Sequence, residues 1–132
     1  MYFLMSIKPK YADLILAGKK TVEIRKSRIN ACSGDVIAIY ATKPQGSIVG
    51  YFTVEKVMWN ETDELWKSIG QCTCLSHDEY TKYAAEKKTM CGILISSAMA
   101  VEGRPMEQMR VQVPQSYRRI TETEFLELIK KG

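Results

Sequence analysis

Apolar positions along this chain change period several times, and each change marks an element. Tyr2 to Ile7 is a nearly continuous apolar run, as a buried strand requires. Pro9 suits the first turn of a helix, where its missing N–H costs nothing. Tyr11, Leu14 and Ile15 follow at helical spacing, and Gly18 is placed to end that helix. Thr21 to Lys26 then alternates, with Val22 and Ile24 on one face and Thr21, Glu23 and Arg25 on the other. That is the pattern of a half-buried strand.

Ser33-Gly34-Asp35 marks a turn, Val36 to Ala41 a strand, and Lys43-Pro44-Gln45-Gly46 another turn. Ile48 to Trp59 reads as a long strand in which Gly50 marks a bend or bulge. Three strands joined by tight turns predict a strongly curved sheet or a small barrel. Asn60 is placed to cap a helix through Ile69, with Leu65, Trp66 and Ile69 as its stripe and Trp59 and Trp66 in the core. Ser76 caps a second helix through Glu86 in a capping-box pattern. Met90 to Val101 returns to strand, Arg104-Pro105 marks a turn, and Pro114 to Arg119 reads as an extended loop or edge strand. Thr121, with Glu124 three residues on, caps a last helix that turns Phe125, Leu128 and Ile129 inward. The fold class is therefore α+β, in one domain spanning residues 1–132.

Composition supports a folded domain: 45% of the 132 residues are apolar and 26% charged. Such a chain buries a core without metal or disulfide staples. No apolar run approaches the roughly 18 residues of a membrane span. The first residues lack the basic region and cleavage site of a signal peptide, so Cys32, Cys72, Cys74 and Cys91 read as reduced thiols and the expected location is cytoplasmic.

The net charge of +4 is unevenly spread. Lys8, Lys10, Lys19, Lys20, Arg25, Lys26 and Arg28 stand against Asp13 and Glu23 in one N-terminal stretch, a local charge able to steer a polyanion. On the strand within it, Thr21, Glu23 and Arg25 offer a hydroxyl, a carboxylate and a guanidinium fork to one ligand. The plain alternative is an exposed sheet face whose charges pair with neighbours. Gln115-Ser116-Tyr117-Arg118-Arg119 adds the amide, hydroxyl, aromatic and guanidinium groups that a splayed base favours.

Cys72-Thr73-Cys74 with His77 is too tightly spaced for the usual zinc pairs, and no metal site is expected. His77 is the sole histidine, which leaves Ser-His-Asp and Cys-His catalysis without support. No glycine loop of phosphate-binding spacing occurs, and no motif calls for a cofactor.

Taken together, the segments Ser6 to Ala12, Leu16 to Arg25, Ile39 to Pro44, Ile48 to Phe52, Leu65-Trp66 and Pro114 to Arg118 resemble the ASCH domains of the PUA-like superfamily. The ending resembles that of the ASCH group labelled as transcriptional regulators. The resemblance implies a small PUA-like β-barrel with helices inserted between its strands and a ligand cleft between barrel and first helix. It implies RNA or a modified nucleotide as ligand, with Lys20, Glu23 and Arg25 lining the cleft and Ser116 and Tyr117 closing it. Lys8 and Arg118 join them as candidate ligand-binding residues.

One branch of that family hydrolyses acylated cytidines with a lysine, a threonine two positions before the arginine, and a glutamate further on. Here Lys20 and Arg25 are kept, Glu23 stands in the threonine's place, and Cys72 to Leu75 offers no glutamate. The leading expectation is a binding module for RNA or a nucleotide, with DNA sharing the same phosphate chemistry. The alternative is a nucleoside or nucleic-acid hydrolase using Lys20 and Glu23. A protein-interaction domain is the third.

Overall fold

The structure is a computed structural model that describes residues 1–105 and 112–130. The apolar opening segment forms β1 (Tyr2–Ile7), and Pro9 sits at the start of α1 (Pro9–Leu16). Gly18 takes φ +77°, a left-handed backbone open to glycine, and turns the chain into β2 (Val22–Arg25). β3 (Val36–Ala41) and β4 (Ser47–Glu61) follow, then α2 (Thr62–Ile69), a short 3-10 turn at Gly70–Cys72, and α3 (His77–Ala84). β5 (Thr89–Pro105), β6 (Tyr117–Ile120) and α4 (Glu122–Ile129) complete the described chain.

The strands form one sheet in the order β2-β5-β4-β3-β1-β6. β1 and β3 run parallel, and the other neighbours are antiparallel. The β4–β5 ladder shifts register between Ile48 and Gly50 and again on either side of Val54, which lets this long ribbon bend. A side chain at Gly50 would lie 2.5 Å from both Leu16 Cδ2 and the Met99 carbonyl, so glycine permits the close approach of α1.

The curled sheet agrees with the expectation, and the closed barrel does not. β2 and β6 are both edges, each only four residues long, with no ladder between them. Side chains close that distance instead: Arg25 donates to the Ser6 carbonyl and to Ser116 Oγ. The sheet is an open barrel with a seam.

Three apolar clusters hold it. One packs α1 and Ile29 against Phe3, Met5, Ile39 and Phe52 inside the curl. A second seats Phe125 and Leu128 of α4 on Leu4, Ala38 and Ile48. The third sets Leu65 and Tyr80 on Val22, Ile24 and Met90.

Four local expectations need correction. β4 runs on through Glu61, because Asn60 pairs with Met90 and Glu61 with Thr89, so α2 begins at Thr62 without a side-chain cap. β5 likewise runs through Pro105, opposite Ser47, where a turn was expected. α3 ends at Ala84 and not Glu86. Trp59 lies 38% exposed on this ribbon, whereas Trp66 packs against Tyr80 at a ring distance of 4.8 Å.

Candidate functional site

The alternation of β2 turns Val22 and Ile24 toward α2 and α3 and sends Glu23 and Arg25 to the opposite face. That face is not open surface. Glu23 is 6% exposed and Lys20, just before the strand, only 2%. The row read either as a ligand face or as an exposed face of paired charges is, from Lys20 through Glu23 to Arg25, a largely buried ionic chain, with Thr21 exposed beside it.

Glu23 Oε2 lies 3.0 Å from Arg25 Nη2, and Glu23 Oε1 lies 3.7 Å from Lys20 Nζ. Lys20 Nζ also donates to the Thr73 carbonyl at 2.5 Å and stands 5.0 Å from the centre of the Tyr11 ring. Burial pushes the Lys20 ammonium below its ordinary value, and the nearby Glu23 and Cys74 oppose that shift. Arg25 reaches across the seam, from Nη2 to the Ser6 carbonyl at 2.8 Å and from Nη1 to Ser116 Oγ at 3.4 Å. Its Nε is buried and finds no acceptor among the described residues.

Local folding explains why these groups converge. The Lys19 and Lys20 amides both bond the Leu14 carbonyl, which folds the chain back from α1 into β2. The Thr21 amide bonds the Cys72 carbonyl, so the α2–α3 connection lies beside Lys20. Within that connection Thr73 Oγ1 donates to the Gly70 carbonyl and accepts from the Leu75 amide. On the other side of the seam, Ser6 Oγ donates to the Pro114 carbonyl and the Ser6 amide to the Ser116 carbonyl.

Of the residues singled out in the sequence, Lys20, Glu23, Arg25 and Ser116 meet at one place. Tyr117 lies next to them, half-buried with its ring 6.1 Å from that of Phe3. Arg118 turns to the opposite face of β6, where it pairs with Glu124 of α4 at 3.6 Å. Lys8 is exposed at the head of α1, where its carbonyl accepts the Tyr11 and Ala12 amides.

Sequence reasoning missed Thr73, Tyr11 and Tyr83. Thr73 acts through its carbonyl, which no side-chain pattern reveals. Tyr11 shows in the sequence as a member of the helix stripe, and that spacing carries no sign of the lysine beside its ring. Tyr83 of α3 comes within electrostatic reach of Arg25 and Glu23, and burial raises its phenol above the ordinary value. The cysteines are free thiols, two exposed, one half-buried and one buried. Among the described residues no helix is long and apolar enough to cross a membrane.

An open, curled α+β sheet with an ionic chain at its seam is the class of domain defined here. The family model for the ASCH domain matches residues 5–108. The chain belongs to the ASCH domain family. It is 27% identical over 130 residues to a protein of Zymomonas mobilis subsp. mobilis named ASCH domain-containing ribonuclease, covering 95% of this chain and 88% of that one. The crystal structure of ASCH from Zymomonas mobilis superposes with a TM-score of 0.91 at 26% identity, over 97% of this chain and 93% of the other. The N-terminal domain of Staphylothermus marinus McrB shares the fold, with a TM-score of 0.60 at 11% identity over 97% and 92% of the two chains.

Proposed function

We propose that this chain is an RNA-binding domain that takes a nucleotide of the strand into the cleft between α1 and the seam. Arg25 carries this reading. Its Nη atoms are held by Glu23, Ser6 and Ser116, while its buried Nε has no acceptor among the described residues. The 3.4 Å bond to Ser116 is exposed, so a phosphate or base-edge oxygen can reach the fork from that side, and a shift of the side chain toward it would also give the buried Nε an acceptor. Ser116 and Tyr117 supply a hydroxyl and a ring at the mouth. Lys8 adds exposed charge at the head of α1, and Arg118 keeps the β6–α4 corner in place through Glu124. The RNA named in the Zymomonas relative's activity supports the choice of polymer.

The test is titration of wild type and Arg25→Lys with a single-stranded RNA and the matching DNA at two salt concentrations. Lysine keeps the charge and loses the fork, so about a tenfold or greater loss is expected from one missing charge-assisted hydrogen bond. Unchanged affinity in Arg25→Lys, with an unchanged thermal melt, would remove Arg25 from the binding site. Equal affinity for the DNA would make the ligand a nucleic acid of either sugar.

A second reading, strand cleavage, is favoured by Lys20. A buried lysine with a depressed pKa holds more neutral amine near pH 7 than a free one. The neutral amine can donate to the Thr73 carbonyl and Glu23 and still present a lone pair. It then takes the proton of a ribose 2′-hydroxyl as that oxygen attacks the adjacent phosphorus. The new 2′-oxygen–phosphorus bond forms, the bond to the 5′-oxygen breaks, and the lysine returns its proton to the leaving oxygen. Arg25 balances charge on the phosphate oxygens. The products are a 2′,3′-cyclic phosphate and a 5′-hydroxyl. Cleavage should rise with pH through the Lys20 pKa and then level off, and Lys20→Arg should abolish it while RNA remains bound. Intact RNA after prolonged incubation with wild type would leave binding alone.

A further inference from the structure

β2, β5 and β4 place Arg25, Cys91 and Trp59 opposite one another, so these three side chains share one face of the sheet. At about 4.8 Å per strand spacing, Trp59 stands roughly 10 Å from Arg25 along that row. The segment after β2 crosses the row, with Ile29 buried and its amide against the Cys91 thiol. Lys26, Arg28 and Asn30 of the same segment remain exposed.

Beyond the crossing lies an open groove of about 470 Å³, lined by Arg28, Asn30, Lys56 and Val57 among others. Val57 is two residues before Trp59 on β4 and reaches the groove from the tryptophan's side of the strand. Lys56, opposite Leu94, alternates to the other side and meets the groove at the strand's edge beyond Thr53, where the β3 ladder ends. Glu55 is the single acid among the groove's lining residues, against two bases. Back toward the seam, the Lys26 ammonium lies 4.9 Å from the centre of the Tyr83 ring. Both Tyr83 and Trp59 are 38% exposed, which leaves ring surface open to solvent.

We infer that this surface, from Tyr83 and Lys26 over Arg28 to the groove beside Trp59 and Lys56, is a track for single-stranded RNA. The inference rests on the RNA reading of the Arg25 cleft and extends it to neighbouring nucleotides. Basic groups at intervals follow a phosphate backbone, and exposed rings between them stack bases. A duplex hides its base faces and has no use for the rings. An acidic peptide would pair with Arg28 and Lys56 and has no use for Trp59. The combination selects an unpaired strand.

The experiment compares wild type, Trp59→Ala, Arg28→Ala/Lys56→Ala and Arg25→Lys, all screened by thermal melt. Each is titrated with cytidine 5′-monophosphate, a single-stranded RNA of about 12 nucleotides, its duplex, and a polyglutamate competitor. Trp59→Ala is expected to weaken the single strand about 5-fold or more, and the double variant should flatten the salt slope by about 1.4, or 0.7 per lost phosphate contact. Neither should alter mononucleotide binding, whereas Arg25→Lys should weaken both ligands.

If the track variants bind the single strand as wild type does while Arg25→Lys loses both ligands, the track is wrong and the cleft stands. If they lose the strand while Arg25→Lys changes neither ligand, the track stands and the cleft reading fails. Duplex bound as tightly as single strand, or polyglutamate displacing RNA from wild type and Trp59→Ala alike, would overturn the single-strand assignment. Absence of any RNA binding would overturn both.

Discussion

Glu23 sits between two cations, one carboxylate oxygen toward each. Its position on β2 was legible, because alternation with Val22 and Ile24 fixes which way it points. Its burial was not. The covering groups come from α1 and the α2–α3 connection, far along the chain, and no local pattern announces them. The physical consequence is that Glu23 is first of all a structural anion. Glu23→Gln removes the charge that offsets Arg25 and Lys20, and about 3 kcal/mol of stability should be lost in urea unfolding. A loss under about 0.5 kcal/mol would mean that the Glu23 charge is not needed to offset either cation in the folded protein. The same geometry argues against a hydrolytic role for Glu23 on acylated cytidines. Both its oxygens are engaged, so acetate release from N4-acetylcytidine should be negligible.

The helices show which local signals survive tertiary context. At Ser76 and Thr121 the sequence carries hydroxyl and glutamate at capping-box spacing, and in both places each bond of the box is formed. Both partners lie within four residues, so the pattern is self-sufficient. Asn60 had the right residue type and the wrong surroundings. The β4–β5 ladder runs past it, and Asn60 Oδ1 accepts the Glu61 amide within the strand. Long-range pairing outweighs a cap of about 1 kcal/mol. Thr121→Ala should cost about 1 kcal/mol and loosen α4, whose Phe125 and Leu128 are buried, by chemical denaturation. The box also gives a pH dependence. The Thr121 amide and hydroxyl hold the Glu124 carboxyl below its ordinary 4.5. Stability from this group is thus complete above 4.5 and lost as pH falls through the lower folded value. The gap between wild type and Glu124→Gln should close in acid.

On the scale of the whole molecule, the curvature of the sheet and five of its six described strands could be read from periodicity and turns, with β6 left between loop and edge strand, whereas closure could not be read. Closure depends on whether two edges meet in register, and here both are too short and meet through one side chain. Arg25 is therefore a clasp, whatever it binds: it spans from β2 to Ser6 of β1 and to Ser116 beside β6. Removing the guanidinium should let the edges part while the β3–β4–β5 centre is unaffected, because opening in proteins is local where few contacts bind a segment. In Arg25→Ala the Ser6 amide, bonded to the Ser116 carbonyl across the seam, should exchange about 10-fold faster, as expected for one lost charge-assisted hydrogen bond. Exchange at Ile39 and Phe52, inside the sheet, should keep its wild-type rate. Uniform acceleration would show global destabilisation, and no acceleration at Ser6 would show that the apolar core alone holds the curl.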